Sequence, residues 1–309
     1  MAQSTYKTVF FFLDTDKYCS PFDILVAIDV FPDSSIFKFE NVTSEDAPKI
    51  VFDLLFPRGP EGAKHTKIFI NGSNFEEVEK VVAATQKAMK SAPWGNSIIV
   101  DPRGGYSTAA AAVAKTFGAS MERGLGTLEG KKVTVLAGTG PVGQTAARIY
   151  AAEKADVTIS SRSLAKGQII ADKINAECGA QCVKVVEVSK SEQTAHAIKD
   201  AEIILAAGAG GIQLLSAADL AVATKAKIVA DINAINPLGV EGLGSNDDKE
   251  FKPGVWGIGA LSIGKLKIKT EVEMIKRAVA EPQGLFDYSI AYTIAKDTIL
   301  KKIAKTAAK

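Results

Sequence analysis

The stretch that decides the fold is VTVLA at residues 133–137, which runs directly into GTGPVG at residues 138–143. A helical pattern follows over residues 144–154, so three glycines lie where a strand must turn sharply into a helix. In a dinucleotide site the first glycine permits the tight turn, the second lets the backbone approach a pyrophosphate, and the third lets the helix pack on the strand. The stretch therefore predicts a dinucleotide-binding turn formed by Gly138, Thr139, Gly140, Pro141, Val142 and Gly143.

The next strand indicates which dinucleotide is bound. In an NAD site this strand ends in an Asp or Glu, about 20 residues past the glycines, that holds the ribose 2′-hydroxyl. Here the strand DVTIS at residues 156–160 is followed by Ser161, Arg162 and Ser163. Small hydroxyl groups leave room for a 2′-phosphate, and the Arg162 guanidinium can bind that phosphate with two hydrogen bonds. The sequence therefore predicts NADP as the cofactor, with Ser161 and Arg162 as ligands.

Composition is typical of a cytoplasmic enzyme. The chain has 37 basic and 35 acidic residues, so no field of one sign attracts nucleic acid or an anionic membrane. No stretch approaches the ~18 consecutive apolar residues of a membrane span, and residues 1–16 hold too short an apolar run for a signal peptide. The three cysteines fit a reducing compartment.

Alternating strand and helix patterns predict an α/β protein, and 309 residues are enough for about two domains. The pattern breaks at LGTLEGK, residues 125–131, and resumes after it. We predict a Rossmann-type doubly wound parallel sheet at residues 128–271, which binds NADP. A second α/β domain is predicted at residues 1–127, joined by C-terminal helices at residues 272–309.

The ends of later strands indicate the nicotinamide side of the site, since ligands of a doubly wound sheet lie beyond the carboxyl ends of its strands. AGAGG at residues 207–211 follows one such strand and lets the backbone at Ala207 and Gly208 pass close to a cofactor. DINA at residues 231–234 ends the next strand and contributes Asn233.

No hydrolytic or metal-binding pattern is visible in the sequence. His65 and His196 lie in unrelated contexts, and Cys178 and Cys182 lack a second pair of ligands, so we predict no metal. An NADP site without acid–base groups favours hydride transfer from a carbon that adjacent nitrogens already activate.

Several blocks in the same order resemble one family, the bacterial NADP-dependent methylenetetrahydromethanopterin dehydrogenases. The resemblance covers nearly the whole chain and implies two α/β domains with a cleft between them, a pterin substrate and a homo-oligomer, with a trimer expected. The blocks are LDTD (13–16), SPFD (20–23), IFINGSN (68–74), DPRGGYSTAAAA (101–112), LAGTGPVG (136–143), SSRS (160–163), AAGAGGIQLL (206–215), DINAINPLGVEG (231–242) and GIGALSIGKLKIK (257–269).

The resemblance also implies residue roles. NADP lies along residues 139–142 and the loop of Ser161 and Arg162, while Asn233 and Pro237 shape its nicotinamide side. The positions that face the pterin are Asp16, Ser20, Asp23, Asp101, Gly104 and Thr108. Lys267 matches a lysine of the family signature and is expected to lie nearest the reacting centre. As an alternative, the alternation KLKIK at residues 265–269 is also typical of a half-exposed strand, in which Lys267 would be solvated.

The implied reaction is hydride transfer from the methylene bridge of the pterin, which leaves a methenyl cation shared by two nitrogens. A carboxylate near that ring helps and a protonated lysine hinders, so Asp16 or Asp23 is the electrostatic candidate and Lys267 is restricted to binding or positioning. Three alternatives stay open: a methylenetetrahydrofolate dehydrogenase, a shikimate-type enzyme, and an NADP-binding sensor without activity. The sequence leaves tetrahydromethanopterin and tetrahydrofolate both possible, because they differ in a tail that loops recognise.

Overall fold

The computed structural model describes residues 6–190 and 192–308. Its strands, in chain order, are β1 (Val9–Asp14), β2 (Ser35–Phe39), β3 (Thr66–Asn71), β4 (Ser97–Val100), β5 (Lys132–Leu136), β6 (Asp156–Ser161), β7 (Val183–Glu187), β8 (Ile203–Ala206), β9 (Ile228–Asp231), β10 (Asp248–Lys252), β11 (Val255–Ile258) and β12 (Gly284–Phe286). Its helices are α1 (Pro21–Val30), α2 (Ala47–Leu55), α3 (Gly59–Ala63), α4 (Phe75–Ser91), α5 (Gly105–Glu122), α6 (Pro141–Ala152), α7 (Leu164–Cys178), α8 (Glu192–Ile198), α9 (Ala217–Val222), α10 (Ala260–Ala280) and α11 (Tyr288–Ala307).

The chain divides into two compact units. The first runs as far as Ser107 and includes Lys269–Ala291, and the second comprises Thr108–Ile268 and the chain from Tyr292 onward. Helix α5 belongs mostly to the second unit, where Thr116 Oγ1 lies 2.8 Å from the Tyr150 hydroxyl. The domains predicted from the sequence, residues 1–127 with 272–309 and residues 128–271, are each defined by the ligand that they bind. Their limits stay a prediction.

Within its described residues, the first unit contains a parallel five-stranded sheet in the order β12-β4-β3-β1-β2. Every residue of the central strand β3 is buried. Such a strand needs apolar residues on both faces, and β3 supplies Ile68 and Ile70 to the core on one face and Phe69 to the other, where it stacks on Phe12 at 4.8 Å. Because β3 pairs in parallel with β1 and β4, the carboxyl ends of the three strands lie at one edge of the sheet.

Lys67 is the one charged residue of β3 and is fully buried. Its Nζ donates to the Glu281 carbonyl oxygen at 2.8 Å and to Ser97 Oγ at 3.3 Å, so it joins the end of the α10 segment to the sheet. Burial lowers the pKa of Lys67 to about 8.

In the second unit, seven strands of the described chain form a sheet in the order β10-β11-β9-β8-β5-β6-β7, parallel except for the β10–β11 pair. From β5 the chain proceeds through β6 and β7 on one side, then continues through β8 and β9 on the other. This reversal beside β5 is the topological switch point at which doubly wound sheets bind ligands. The predicted fold class, a Rossmann-type sheet with a second α/β unit, is confirmed.

Local sequence signals account for the starts of two helices. Ser20 caps α1, since its hydroxyl accepts from Asp23 N at 3.5 Å, and Pro21 occupies the first helical position. Asn74 caps α4 by accepting from the backbone N–H groups of Glu76 and Glu77. A side-chain acceptor at these positions satisfies N–H groups that have no partner inside the helix.

The half-exposed strand considered for residues 265–269 is wrong, because the segment lies within helix α10. Leu266 and Lys267 are buried, whereas Lys265, Ile268 and Lys269 are exposed. Two adjacent buried residues followed by two exposed ones fit a helical period and not strict alternation.

In the part of the chain that the structure describes, no helix has both the length and the apolar character needed to cross a membrane.

Candidate active site

The glycine turn of the second unit joins β5 to α6, as predicted. The left-handed residue of the turn is Ala137, with φ 54°, and not Gly138. Gly138 is instead required by close packing, because a Cβ there would lie 2.6 Å from Ile159 Cβ on β6. Gly143 has the predicted packing role, since a Cβ there would lie 2.7 Å from the Ala137 carbonyl oxygen.

Gly140 is the open position of this turn. A Cβ on Gly140 would have the Ala137 oxygen at 3.8 Å as its one neighbour within 4 Å, and Gly140 is the N-cap residue of α6. The backbone at Gly140 is therefore accessible to a ligand at a helix N-terminus, where the dipole and the N–H groups attract phosphate.

The end of β6 lies against this turn. Ser160 Oγ accepts from Ala137 N at 2.9 Å, and its carbonyl oxygen accepts from Gly138 N at 2.9 Å. Ser161 is buried and its hydroxyl donates to the Ser163 carbonyl oxygen at 2.7 Å, while Arg162 is exposed. The predicted 2′-phosphate ligands thus adjoin the glycine turn, and Ser160 is the residue that links the two segments.

The loops after β8 and β9 form one hydrogen-bonded network. Asn233 Oδ1 accepts from Gly211 N at 3.2 Å, and Asn233 Nδ2 donates to the Pro237 carbonyl oxygen at 2.8 Å. The buried carboxylate of Asp231 accepts from the backbone N–H groups of Asn233 and Val240, at 2.9 and 3.1 Å. Burial raises the pKa of Asp231, although these N–H groups act in the opposite direction. Asp231 therefore fixes the loop that carries Asn233.

Three carboxylates of the first unit converge in its interior. Oxygen atoms of Asp23, Asp101 and Glu271 lie within 4.8 Å of one another, and each residue is at most 1% exposed. At this separation two ionised carboxylates repel each other by roughly 3 kcal/mol at an effective dielectric constant of about 20. The cluster of Asp23, Asp101 and Glu271, called here the carboxylate cluster, therefore favours a bound proton or a cationic ligand.

Asp101 accepts hydrogen bonds at both of its carboxylate oxygens. Its Oδ1 accepts from the backbone N–H groups of Tyr106 and Ser107 at 2.9 and 3.0 Å, and its Oδ2 accepts from Ser107 Oγ at 2.6 Å. The two N–H groups belong to the first turn of α5, where a negative charge is favoured. Asp101 thus joins the cluster to a helix N-terminus.

Asp23 has one bonded oxygen and one unbonded oxygen. Its Oδ2 accepts from Asn71 Nδ2 at 2.5 Å. Its Oδ1 is buried and has no hydrogen-bond partner among the described residues. A buried carboxylate oxygen without a donor is unfavourable for folding, so such a group is a candidate for function.

Asp16, the other predicted electrostatic residue, is already paired. Its Oδ2 accepts from Arg103 Nη2 at 2.6 Å and Nε at 2.9 Å, and its Oδ1 accepts from Ser73 Oγ at 2.8 Å. Partial burial raises the pKa of Asp16, but the hydrogen bonds from Arg103 and Ser73 outweigh it and the pKa is lowered. The negative charge of Asp16 is thus largely compensated inside the protein.

The remaining predicted residues are placed as follows. Ser20 is buried and caps α1, and Gly104 has φ 70° in the turn that follows Asp101. Thr108 is partly exposed in α5, and Pro237 is exposed. Lys267 is 8% exposed in α10, four residues before Glu271, and residues at that spacing lie on the same face of a helix.

Sequence reasoning missed Asn71 and Glu271. Asn71 has a detectable signal, because it is the last residue of a strand whose carboxyl end lies at the sheet edge that carries Asp101. Glu271 has none, since it lies inside a helix far along the chain and belongs to no motif.

Fold and site together define a class of protein: an oxidoreductase with a dinucleotide turn on a Rossmann-type sheet and a buried carboxylate cluster in a second α/β unit.

A family model described as "Methylene-tetrahydromethanopterin dehydrogenase, N-terminal" matches residues 21–103. The chain is 35% identical over 291 residues to the bifunctional protein MdtA of Methylorubrum extorquens, covering 94% of this chain and 99% of the relative.

A second relative from the same organism is an NAD(P)-dependent methylenetetrahydromethanopterin dehydrogenase. It is 33% identical over 294 residues, which cover 94% of this chain and 98% of the relative. The chain belongs to the methylenetetrahydromethanopterin dehydrogenase family. The family and the enzyme class predicted from the sequence are confirmed.

Solved structures of two other enzymes share the fold. Quinate dehydrogenase from Corynebacterium glutamicum in complex with NAD has a TM-score of 0.52 at 13% identity, covering 94% of this chain and 99% of that one. Shikimate 5-dehydrogenase from Listeria monocytogenes has a TM-score of 0.50 at 15% identity, covering 89% and 93%. At these identities the likeness concerns the fold alone.

Proposed function

We propose that this protein oxidises methylene-tetrahydromethanopterin to the methenyl compound by hydride transfer to NADP+. The observation that carries the proposal is the carboxylate cluster at the carboxyl edge of the first sheet. The substrate becomes a cation when it loses hydride. The negative charge of the carboxylate cluster is complementary to the positive charge of that product.

The second unit is proposed to hold the cofactor. Gly140 and the N-terminus of α6 would receive the pyrophosphate, Ser161 and Arg162 the 2′-phosphate, and Ala207, Gly208 and Asn233 the nicotinamide end. NADP+ supplies the hydride acceptor when it is bound. The protein itself contributes a preorganised backbone, because Ser160 fixes the glycine turn and Asp231 fixes the loop of Asn233.

The first unit is proposed to hold the pterin. Asp23 has a buried carboxylate oxygen without a hydrogen-bond partner among the described residues, so it is proposed as the group that stabilises positive charge as the methenyl product forms. Asp16 is proposed to maintain the architecture together with Arg103, because its charge is compensated. Ser20 and Gly104 of this unit are proposed as substrate contacts. Of the residues in the second unit, Thr108 and Pro237 are proposed as substrate contacts and Lys267 as a binding or positioning group.

Two further features are proposed from the family resemblance and the composition. The protein is a homo-oligomer, with a trimer expected, and it acts in the cytoplasm. Size-exclusion chromatography with light scattering measures the first, and cell fractionation the second.

The proposed reaction is tested by assaying the purified protein with both pterins and both coenzymes. Absorbance should report reduction of NADP+ with methylene-tetrahydromethanopterin, and activity should survive prolonged EDTA treatment because we propose no metal. Higher kcat/KM with methylenetetrahydrofolate would instead favour the folate alternative. No turnover with any combination, together with retained NADP+ binding, would identify the sensor.

Replacement of Arg162 by alanine is expected to raise KM for NADP+ about tenfold or more. That factor corresponds to ~1.4 kcal/mol, the size of one charge-assisted hydrogen bond. KM for NAD+ should change little, since NAD+ has no 2′-phosphate. Lys166, exposed one turn further along, provides the matched control, and Lys166→Ala should leave both values unchanged. Equal losses with the two coenzymes would refute the assignment of Arg162.

A further inference from the structure

Asn71, at the end of β3, connects the sheet to Asp23. Its Oδ1 accepts from Gly72 N and from Arg103 N, both at 2.7 Å. Its Nδ2 donates to Asp23 Oδ2 at 2.5 Å. The side chain is fully buried, so these three hydrogen bonds are made away from water.

The two backbone donors determine which way the amide points. An N–H group can only donate, so Gly72 and Arg103 require the oxygen of the Asn71 amide on their side. The amide nitrogen must then face Asp23, and the carboxylate accepts through Oδ2. Asp23 Oδ1 is left as the buried oxygen without a hydrogen-bond partner among the described residues.

The backbone of Arg103 is arranged for this contact. Arg103 has φ 47°, in the left-handed region that non-glycine residues seldom adopt. In this conformation its N–H reaches Asn71, while its side chain pairs with Asp16. Unusual backbone conformations of this kind persist where the surrounding contacts hold them, often at functional sites.

We propose that Asn71 is a positioning residue that orients Asp23 for stabilisation of the cationic product. The proposal rests on the proposed function, because Asp23 needs a defined direction only if a charge develops beside its free oxygen. Asn71 itself does not touch the reacting atoms. Its task is to hold one oxygen of Asp23 with a donor that never ionises, so that the direction of the carboxylate stays fixed.

Asn71→Asp tests the proposal, because the new carboxyl group keeps the acceptor and donates to Asp23 only while it is protonated. Two carboxyl groups this close share a proton at lower pH and repel each other once both have lost it. Activity should therefore approach that of the wild type at about pH 6 and fall about a hundredfold below it at about pH 9, the size of a lost electrostatic contact. Among the described residues, the titratable and charged groups around position 71 include Asp14, Asp16, Asp23 and Arg103, and Asp101 and Glu271 lie beside Asp23.

Three comparisons complete the test. Asn71→Ala should lower kcat at every pH without the alkaline loss, since it can never donate. Asn175→Asp is the matched control, because Asn175 is a buried amide of the second unit whose Oδ1 also accepts from two backbone N–H groups. This control should show the wild-type pH profile. NADP+ affinity of Asn71→Asp, measured by fluorescence at pH 6, should equal that of the wild type.

A wild-type pH profile for Asn71→Asp, or an equal loss of NADP+ affinity and kcat, would overturn the assignment of Asn71. A variant that cannot be purified at pH 6 also contradicts it, since the protonated group should reproduce the amide there. If the wild-type protein itself fails to oxidise the methylene-pterin, the proposed function fails instead. The two failures are therefore distinguishable.

Discussion

Asp23→Asn is expected to lower kcat/KM for the methylene-pterin by about 10²- to 10³-fold, the loss typical of a preorganised electrostatic contact in a water-excluded site. The substitution preserves the size of the side chain and removes its charge. Asp23 has a buried oxygen without a hydrogen-bond partner among the described residues and belongs to the carboxylate cluster, so under the proposed mechanism the variant lacks the negative charge that stabilises the developing cation. The affinity for NADP+, which the other unit is proposed to bind, should remain unchanged.

Stability distinguishes this effect from simple damage to the fold. Removing one of three neighbouring carboxylates relieves repulsion, so the melting temperature of Asp23→Asn should stay the same or rise. Asp46→Asn is a suitable control, because Asp46 is exposed and bonds only locally to Thr43. It should retain wild-type kinetics. Wild-type kcat/KM in Asp23→Asn would exclude Asp23 from the reaction and redirect attention to Asp101.

Lys267→Ala is expected to lower kcat/KM for the pterin by on the order of tenfold to a thousandfold. Lys267 is buried although neighbouring lysines of the same helix are exposed, and a buried lysine side chain is seldom a mere solubilising group. Because the product is cationic, the ammonium is assigned to substrate binding or positioning and not to charge stabilisation.

The same helix offers two matched controls for that variant. Lys265→Ala and Lys269→Ala remove exposed lysines two residues away on either side, and both should keep wild-type kinetics. NADP+ affinity, measured by calorimetry, should be nearly unchanged in all three variants. If all three have the same kcat/KM as the wild type, Lys267 has no part in pterin handling.

Much of the nucleotide-binding edge could be predicted from the sequence, because its signals are local. Glycine spacing, the strand before it and the residues after β6 are all contained in residues 132–163. What could not be predicted is which residue takes the left-handed conformation. Ala137 takes it because Gly138 is needed for contact with Ile159, and that contact depends on the neighbouring strand.

The carboxylate cluster, in contrast, depends on contacts between distant parts of the chain. Asp23 and Asp101 belong to sequence motifs, whereas Glu271 lies about 170 residues beyond Asp101 and is brought to them by tertiary structure. The segment KLKIK was ambiguous for a different reason. Five residues are too few to distinguish the two-residue period of a strand from the 3.6-residue period of a helix. In the structure, Leu266 and Lys267 are adjacent and both buried, as a helix allows and strict alternation does not.

The position of Asn71 at the end of β3 also has a dynamic consequence. Strand β3 is buried along its whole length and is bonded to β1 on one side and β4 on the other. Amide protons in such a strand exchange with solvent only through opening events close to global unfolding. A carboxylate anchored to its last residue is therefore expected to keep its direction for as long as the first unit stays folded.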